Sequence, residues 1–302
     1  MSSPGQSTGG GFTPAPIDTT KPSHARVYDL FNGGKDNFAV DRAVHDQIVQ
    51  FAPALPLIVQ EQRKWLVRVA RFLAGPAGID QFLDCGSGLP SAQNTHEVVQ
   101  QVAPTSRIVY VDNDPLVLVH ARALLTSTEG GVTDYIDADV RDPDKILQEA
   151  AGTVDFTQPV ALMMLGILGN VLDTDEARAT VNRLVDAVPA GSYLVVNDGT
   201  DTNEAGVESA QVRGDAGDPY CLRSPDMIAR FFDGLELLEP GVVSTPRWRP
   251  DPRSLGRPRR TGCGMRRRTQ TVAARPVGRY RHPLNSSGRP ARYPATHTAV
   301  FG

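Results

Sequence analysis

Cysteine is scarce in this chain, and its scarcity excludes a disulfide framework. Cys85, Cys221 and Cys263 stand far apart in 302 residues, with neither the even count of a stapled fold nor the paired spacing of a zinc site. Long apolar runs are lacking as well. The longest nearly apolar stretch, Val160 to Leu172, has 13 residues, short of the roughly 18 a membrane-spanning helix requires. The N-terminus has no basic cluster leading into an apolar stretch, so no signal peptide is expected. His24, His45, His96, His120, His282 and His297 are scattered, and no His/Asp/Cys cluster shows ligand spacing, so no metal is expected. These absences point to a cytoplasmic protein without a membrane role.

Acidic residues are missing from one region only. Residues 253–302 contain twelve arginines and no Lys, Asp or Glu, whereas residues 1–252 carry 19 basic against 34 acidic side chains, a balance of −15. A chain that changes composition so sharply divides into parts. Residues 1–21, rich in Gly, Ser, Thr and Pro, read as a disordered lead. Residues 22–252 read as one domain, of which 22–75 form a helical cap. Residues 253–302 read as a disordered, unrelated or frame-shifted extension. The alternative for this tail is a basic arm for nucleic acid.

Within the domain, strands and helices alternate. Helices are expected over residues 41–51, 57–73, 92–102, 115–125, 143–150, 174–188 and 225–232. Short strands rich in β-branched residues are expected over 81–85, 107–112, 132–136, 159–165, 192–197 and 235–243. Such alternation predicts an α/β fold, a mostly parallel, doubly wound sheet with helices on both faces. Its ligand belongs at the carboxyl ends of the strands, near the switch in strand order. That places Gly86–Gly88, Asp112, Asp139 and Gly166 around one cleft.

The strongest local feature is Phe82-Leu83-Asp84-Cys85-Gly86-Ser87-Gly88-Leu89-Pro90, a strand running into a Gly-x-Gly turn before a helix. Gly86 and Gly88 allow close backbone approach to a ligand, and the Asp84 carboxylate is placed to receive an ammonium group. The alternative is a tight strand-to-helix turn. Asp112, with Asn113 beside it, ends the second strand, where a carboxylate accepts hydrogen bonds from ribose hydroxyls. Asp112 is equally placed to cap the next helix, but Asp114 fills that role at least as well. Asp139 and Val140 follow the third strand, placed for an adenine amino group and ring; a solvated acidic loop is the alternative. The dinucleotide fingerprint needs a third glycine, and Ser91 stands in its place. Without that floor for a pyrophosphate, S-adenosylmethionine fits better than a nicotinamide dinucleotide.

Several segments, in order, resemble a bacterial family of S-adenosylmethionine-dependent methyltransferases long catalogued as a domain of unknown function. They include Ala25-Arg26-Val27-Tyr28-Asp29, Gly33-Gly34-Lys35-Asp36-Asn37-Phe38, Gln81 to Pro90, Val109 to Leu125, Arg223 to Phe232 and Gly234 to Pro250. The resemblance spans residues 22–252 and implies a Rossmann-like methyltransferase sandwich with an N-terminal helical extension and S-adenosylmethionine as cofactor. It also implies a seventh strand antiparallel to its neighbours, for which no convincing segment follows Pro252. Two departures from the family pattern lie at strand ends. Leu168-Gly169 stands where the family carries Leu-His, and Asn197-Asp198 stands where it carries Ser-His.

The segment 28–37 is expected to act as a lid, with Gly33, Gly34 and Asp36 contacting the cofactor or substrate; Gly33-Gly34 as a helix stop is the alternative. On the lid reading, Asp36→Ala lowers cofactor affinity or turnover. Asp198 and Asp201 are the candidate bases. The functional expectation is methyl transfer to a small-molecule acceptor. The alternatives are a non-catalytic S-adenosylmethionine-binding protein and a nucleotide-dependent oxidoreductase.

Overall fold

Apolar periodicity and strand alternation place their side chains on two sides of one sheet in the computed structural model, which describes residues 16–124, 127–250 and 298–301. Three N-terminal helices, α1 (His24–Phe31), α2 (Ala39–Phe51) and α3 (Leu55–Ala74), precede the first strand. Then follow β1 (Gln81–Cys85), α4 (Thr95–Val102), β2 (Arg107–Asp112), α5 (Pro115–Leu124), β3 (Val132–Asp137) and α6 (Pro143–Ala150). β4 (Ala161–Leu165), α7 (Thr174–Val185), β5 (Tyr193–Asn197), α8 (Glu204–Asp215), α9 (Pro225–Ala229), β6 (Glu236–Leu237) and β7 (Thr298–Phe301) complete the order.

The strands lie in the order β3-β2-β1-β4-β5-β7-β6, so the switch point falls between β1 and β4. Register places Asp84 opposite Tyr110 and Met163, and Leu165 opposite Asn197. β5 is buried along its whole length and β4 along all but its last residue, which is why their sequences are nearly unbroken apolar runs. The resulting fold is the expected Rossmann-like sandwich. In α3, Val59, Trp65, Leu66, Val69, Ala70 and Leu73 recur near helical spacing and are buried. Fully burying a large apolar side chain of this kind stabilises by about 1.5–3 kcal/mol.

A second apolar cluster lies apart from the sheet core. It joins Val27 and Phe31 of α1, Val44 and Ile48 of α2, Val59 of α3 and Val212 of α8. A buried ion pair holds this layer: Arg26 Nε lies 3.0 Å from Asp41 Oδ2. Arg26 also donates to the carbonyls of Asp18 and Lys21, and Asp41 accepts from the backbone N–H groups of Ser23 and Phe38.

Three expectations change here. A helix, α8, runs where no element is expected, because its two interior glycines and sparse apolar residues hide its period. The sixth strand is two residues long rather than 235–243. And Thr298–Phe301, in the stretch expected to hold no strand, pairs between β5 and β6. Its Thr-Ala-Val-Phe sequence suits a strand, but four residues do not stand out from an arginine- and proline-rich stretch. It runs parallel to both neighbours, not antiparallel as the resemblance implies. The lead 1–15 and the tail 253–297 lie outside the described residues.

Candidate active site

The carboxyl ends of β1, β2 and β3 are tied together by their own loops. Gly88 N–H donates to Asp112 Oδ2 at 2.8 Å across 24 residues. The other oxygen of Asp112 accepts from Asp114 N–H. Asn113 Nδ2 donates to Asp139 Oδ2 at 3.1 Å, and the Ser87 and Tyr135 hydroxyls are 2.5 Å apart. The glycines have separate reasons. Both have positive φ, but a Cβ on Gly86 would lie 2.5 Å from the Ile167 side chain, whereas one on Gly88 would meet nothing within 4 Å. Gly86 therefore lets the β1 and β4 turns pack, and Gly88 leaves backbone open. Asp114 caps α5, accepting from Leu116 N–H at 2.8 Å, which frees Asp112 from that role.

Asp84 accepts a hydrogen bond from the Thr95 hydroxyl at 2.7 Å, and burial raises its carboxyl to about 6. Burial likewise raises Asp112 to about 6. Two buried carboxyls of this kind favour a ligand that brings positive charge or hydrogen-bond donors. Asp139 differs: the Arg141 side chain forks onto both its oxygens at 2.9 and 2.6 Å and holds it below the usual carboxylate range.

Asp84, Thr95, Gly88, Asp112, Asp139 and Arg141 line one cavity of about 1530 Å³, larger than the roughly 300–1,000 Å³ of a typical ligand pocket. Its far wall comes from remote parts of the chain. Tyr28 donates to Gln62 Oε1, and Gln62 Nε2 donates to Asn197 Oδ1, each at 3.2 Å, linking α1, α3 and β5. The Tyr220 hydroxyl donates to Asp198 Oδ1 and lies 3.3 Å from the Gly166 carbonyl oxygen. Fully buried Arg223 donates to the Leu168 and Val171 carbonyls and lies 3.5 Å from Asp198 Oδ2. Burial raises the Asp198 carboxyl to about 6. A Cβ on Gly169 would lie 2.1 Å from the Tyr220 ring, so the glycine at this departure makes room for the tyrosine bonded at the other.

Asp84, Gly86, Gly88, Asp112, Asn113, Asp139, Val140 and Asp198 thus share a cavity. Gly33, Gly34, Asp36 and Asp201 are not among its lining residues, whereas Tyr28 and Phe31 of the segment expected to form a lid are. Gly33, at φ +81°, ends α1 with a hydrogen bond to Leu30 O, and Gly34 N–H reaches back to Asp29 O, the Schellman pattern of a helix stop. Gly34 also admits the Asp29 carboxyl, which a Cβ would strike at 2.0 Å. Asp36 faces His120 at 3.7 Å. Asp201 is exposed because its backbone only bridges to the Arg223 carbonyl at the start of a surface turn. Sequence reasoning reached Tyr28 through the segment 28–37 but missed His24, which stands just before the Ala25–Asp29 segment, and Gln62, Arg213 and Tyr220, which lie outside the quoted segments. The one usable signal was Asn203, whose side chain caps α8 by accepting from Gly206 N–H.

This site belongs with known proteins. The model of the S-adenosyl methyltransferase family matches residues 11–274. The chain belongs to that family. As an S-adenosyl methyltransferase, it resembles a DUF574 family protein from Streptomyces avermitilis MA-4680 at 40% identity, with a TM-score of 0.79 over 86% of this chain and 100% of that one. It also resembles a protein from Thermobifida fusca YX assigned as a methyltransferase, at 47% identity and a TM-score of 0.73 over 78% of this chain and 88% of that one. No functionally curated protein matches it. The family sets aside the nicotinamide reading. No helix among the described residues is long and apolar enough to cross a membrane.

Proposed function

We propose that this S-adenosyl methyltransferase binds S-adenosylmethionine through Asp84, Gly86, Gly88, Asp112, Asn113, Asp139 and Val140 and methylates a small molecule in the cytoplasm. The cofactor supplies a methyl group already activated on a sulfonium. The chain's contribution is alignment and exclusion of water. Asp112 receives ribose hydroxyls, Asp84 the amino group of the methionine part, and Asp139 the adenine amino group, with Val140 against the ring. The open face of Gly88 fits close approach of the ligand.

The observation that carries this reading is the Gly88–Asp112 hydrogen bond, which joins the glycine bend and the strand-end carboxylate in one pocket that Asp139 also lines. A small acceptor suits a cavity walled by α1, α2, α3 and α8, and a reducing cytoplasm suits the free thiols of Cys85 and Cys221. The test is native mass spectrometry of the purified protein, followed by calorimetry with S-adenosylhomocysteine and with NAD. Co-purified S-adenosylmethionine or its demethylated product, with calorimetric binding of S-adenosylhomocysteine alone, is expected. Binding of NAD in preference, or of neither compound, would sink the reading.

A further inference from the structure

His24 lies on the first turn of α1 and lines the cavity opposite the cofactor groups. Its ring stacks on Tyr220 at 5.3 Å between centroids and 18° between planes, and lies 6.2 Å from the Tyr28 ring. No hydrogen bond to either of its ring nitrogens is formed by the described residues. Tyr220 is itself fixed: its hydroxyl is held by Asp198 and Gly166, its ring fits against Gly169, and the Arg213 guanidinium lies 4.6 Å from its centroid. Arg213 in turn is paired with Asp218 at 2.8 Å. An unbonded imidazole is therefore held firmly by ring packing alone, above the ends of β4 and β5.

We propose that His24 accepts a hydrogen bond from the nucleophile of the methyl acceptor, and that the acceptor is a flat aromatic molecule bearing a hydroxyl or amine. Burial and the nearby Arg213 hold the His24 imidazole well below its ordinary range, so a ring nitrogen keeps its lone pair at neutral pH. The rings of Tyr28, His24 and Tyr220 and the apolar Phe51, Leu55 and Ile58 behind them favour a planar apolar body, since aromatic faces pack well by offset stacking. The chemistry balances. The acceptor's heteroatom forms a bond to the methyl carbon, and the carbon–sulfur bond breaks with its electron pair going to sulfur. The heteroatom's proton is released to solvent.

The proposal rests on the methyltransferase reading above, and its test is kept separate from that reading. The fluorescence of 2-naphthol, and of naphthalene as a control without a proton to donate, is titrated with the full-length protein, with and without S-adenosylhomocysteine. His24→Phe keeps a stacked ring and removes the nitrogen. It is expected to weaken 2-naphthol roughly 3- to 10-fold, as for a lost hydrogen bond. Naphthalene and S-adenosylhomocysteine binding should stay unchanged, and His24→Gln, which retains an acceptor atom, should recover part of the loss. Equal weakening of both arenes would mean packing only. No effect on 2-naphthol, or no arene binding by the wild-type protein, would overturn the proposal. Failure to bind S-adenosylhomocysteine would instead count against the cofactor assignment.

Discussion

At one end of the cavity, the loops after β1, β2 and β3 meet through Gly88–Asp112, Asn113–Asp139 and Ser87–Tyr135. Each of these loops follows a parallel strand, buried in β1 and most of β2 and at the sheet edge in β3, so the sheet itself brings their residues together. At the other end, His24, Gln62, Asn197 and Tyr220 arrive on four unrelated elements. Their placement depends on a helical layer with its own apolar cluster and its own ion pair. The contrast separates the proposed cofactor end, assembled by the strand-end loops, from an end whose helices carry their own apolar cluster.

The largest expected effect tests whether the helical half has its own support. Arg26→Ala leaves Asp41 charged and buried, and breaking one partner of such a pair costs about 3–5 kcal/mol. Urea denaturation followed by circular dichroism should show a loss of that order. A loss under about 1 kcal/mol would mean that the ion pair does not hold the layer.

Next, Asp112→Ala removes both the tie to Gly88 and the proposed ribose partner. S-adenosylhomocysteine affinity should fall roughly 30- to 100-fold by calorimetry, as the loss of one charge-assisted hydrogen bond would predict. Unchanged affinity would detach the strand end from the cofactor.

A smaller effect should follow pH. Asp84 and Asp112 titrate near 6 when folded, above the ordinary value of about 3.9 for an unfolded aspartate. In the unliganded protein their contribution to stability is present below pH ~4 and lost as pH rises through about 6. The cofactor groups prefer the ionised carboxylates, so affinity for S-adenosylhomocysteine should run the other way. It should weaken by up to roughly tenfold per group for each unit below 6. Calorimetry at several pH values in that range checks this, and a flat profile would contradict the carboxylate roles.

The smallest effect concerns the region that looks like a lid in the sequence. Asp36→Ala should leave S-adenosylhomocysteine affinity within about twofold, since surface changes away from a site rarely exceed ±0.5 kcal/mol. A tenfold loss would restore the lid.

How much was legible follows the same division. The Gly-x-Gly bend, the acidic ends of β2 and β3 and most strand limits show in the sequence because each is a local pattern: a buried strand, then a turn, then a helix. The role of Gly33-Gly34 was open, because a helix stop and a hinge require the same residues; the backbone bonds to Leu30 and Asp29 decide it. Helix α8 was hidden by weak amphipathicity, and with it went Arg213 of the cavity and Val212 of the second apolar cluster.

The order of residues alone determined a doubly wound sheet with one ligand edge, since strand burial and turn chemistry act over a few neighbours. Only the tertiary structure decided which side chains face the far end of the cavity. The space left by Gly169, the hydroxyl of Tyr220 and the unbonded ring of His24 lie on segments up to 196 residues apart. Their meeting follows from packing between elements, which leaves no periodic trace in any one of them.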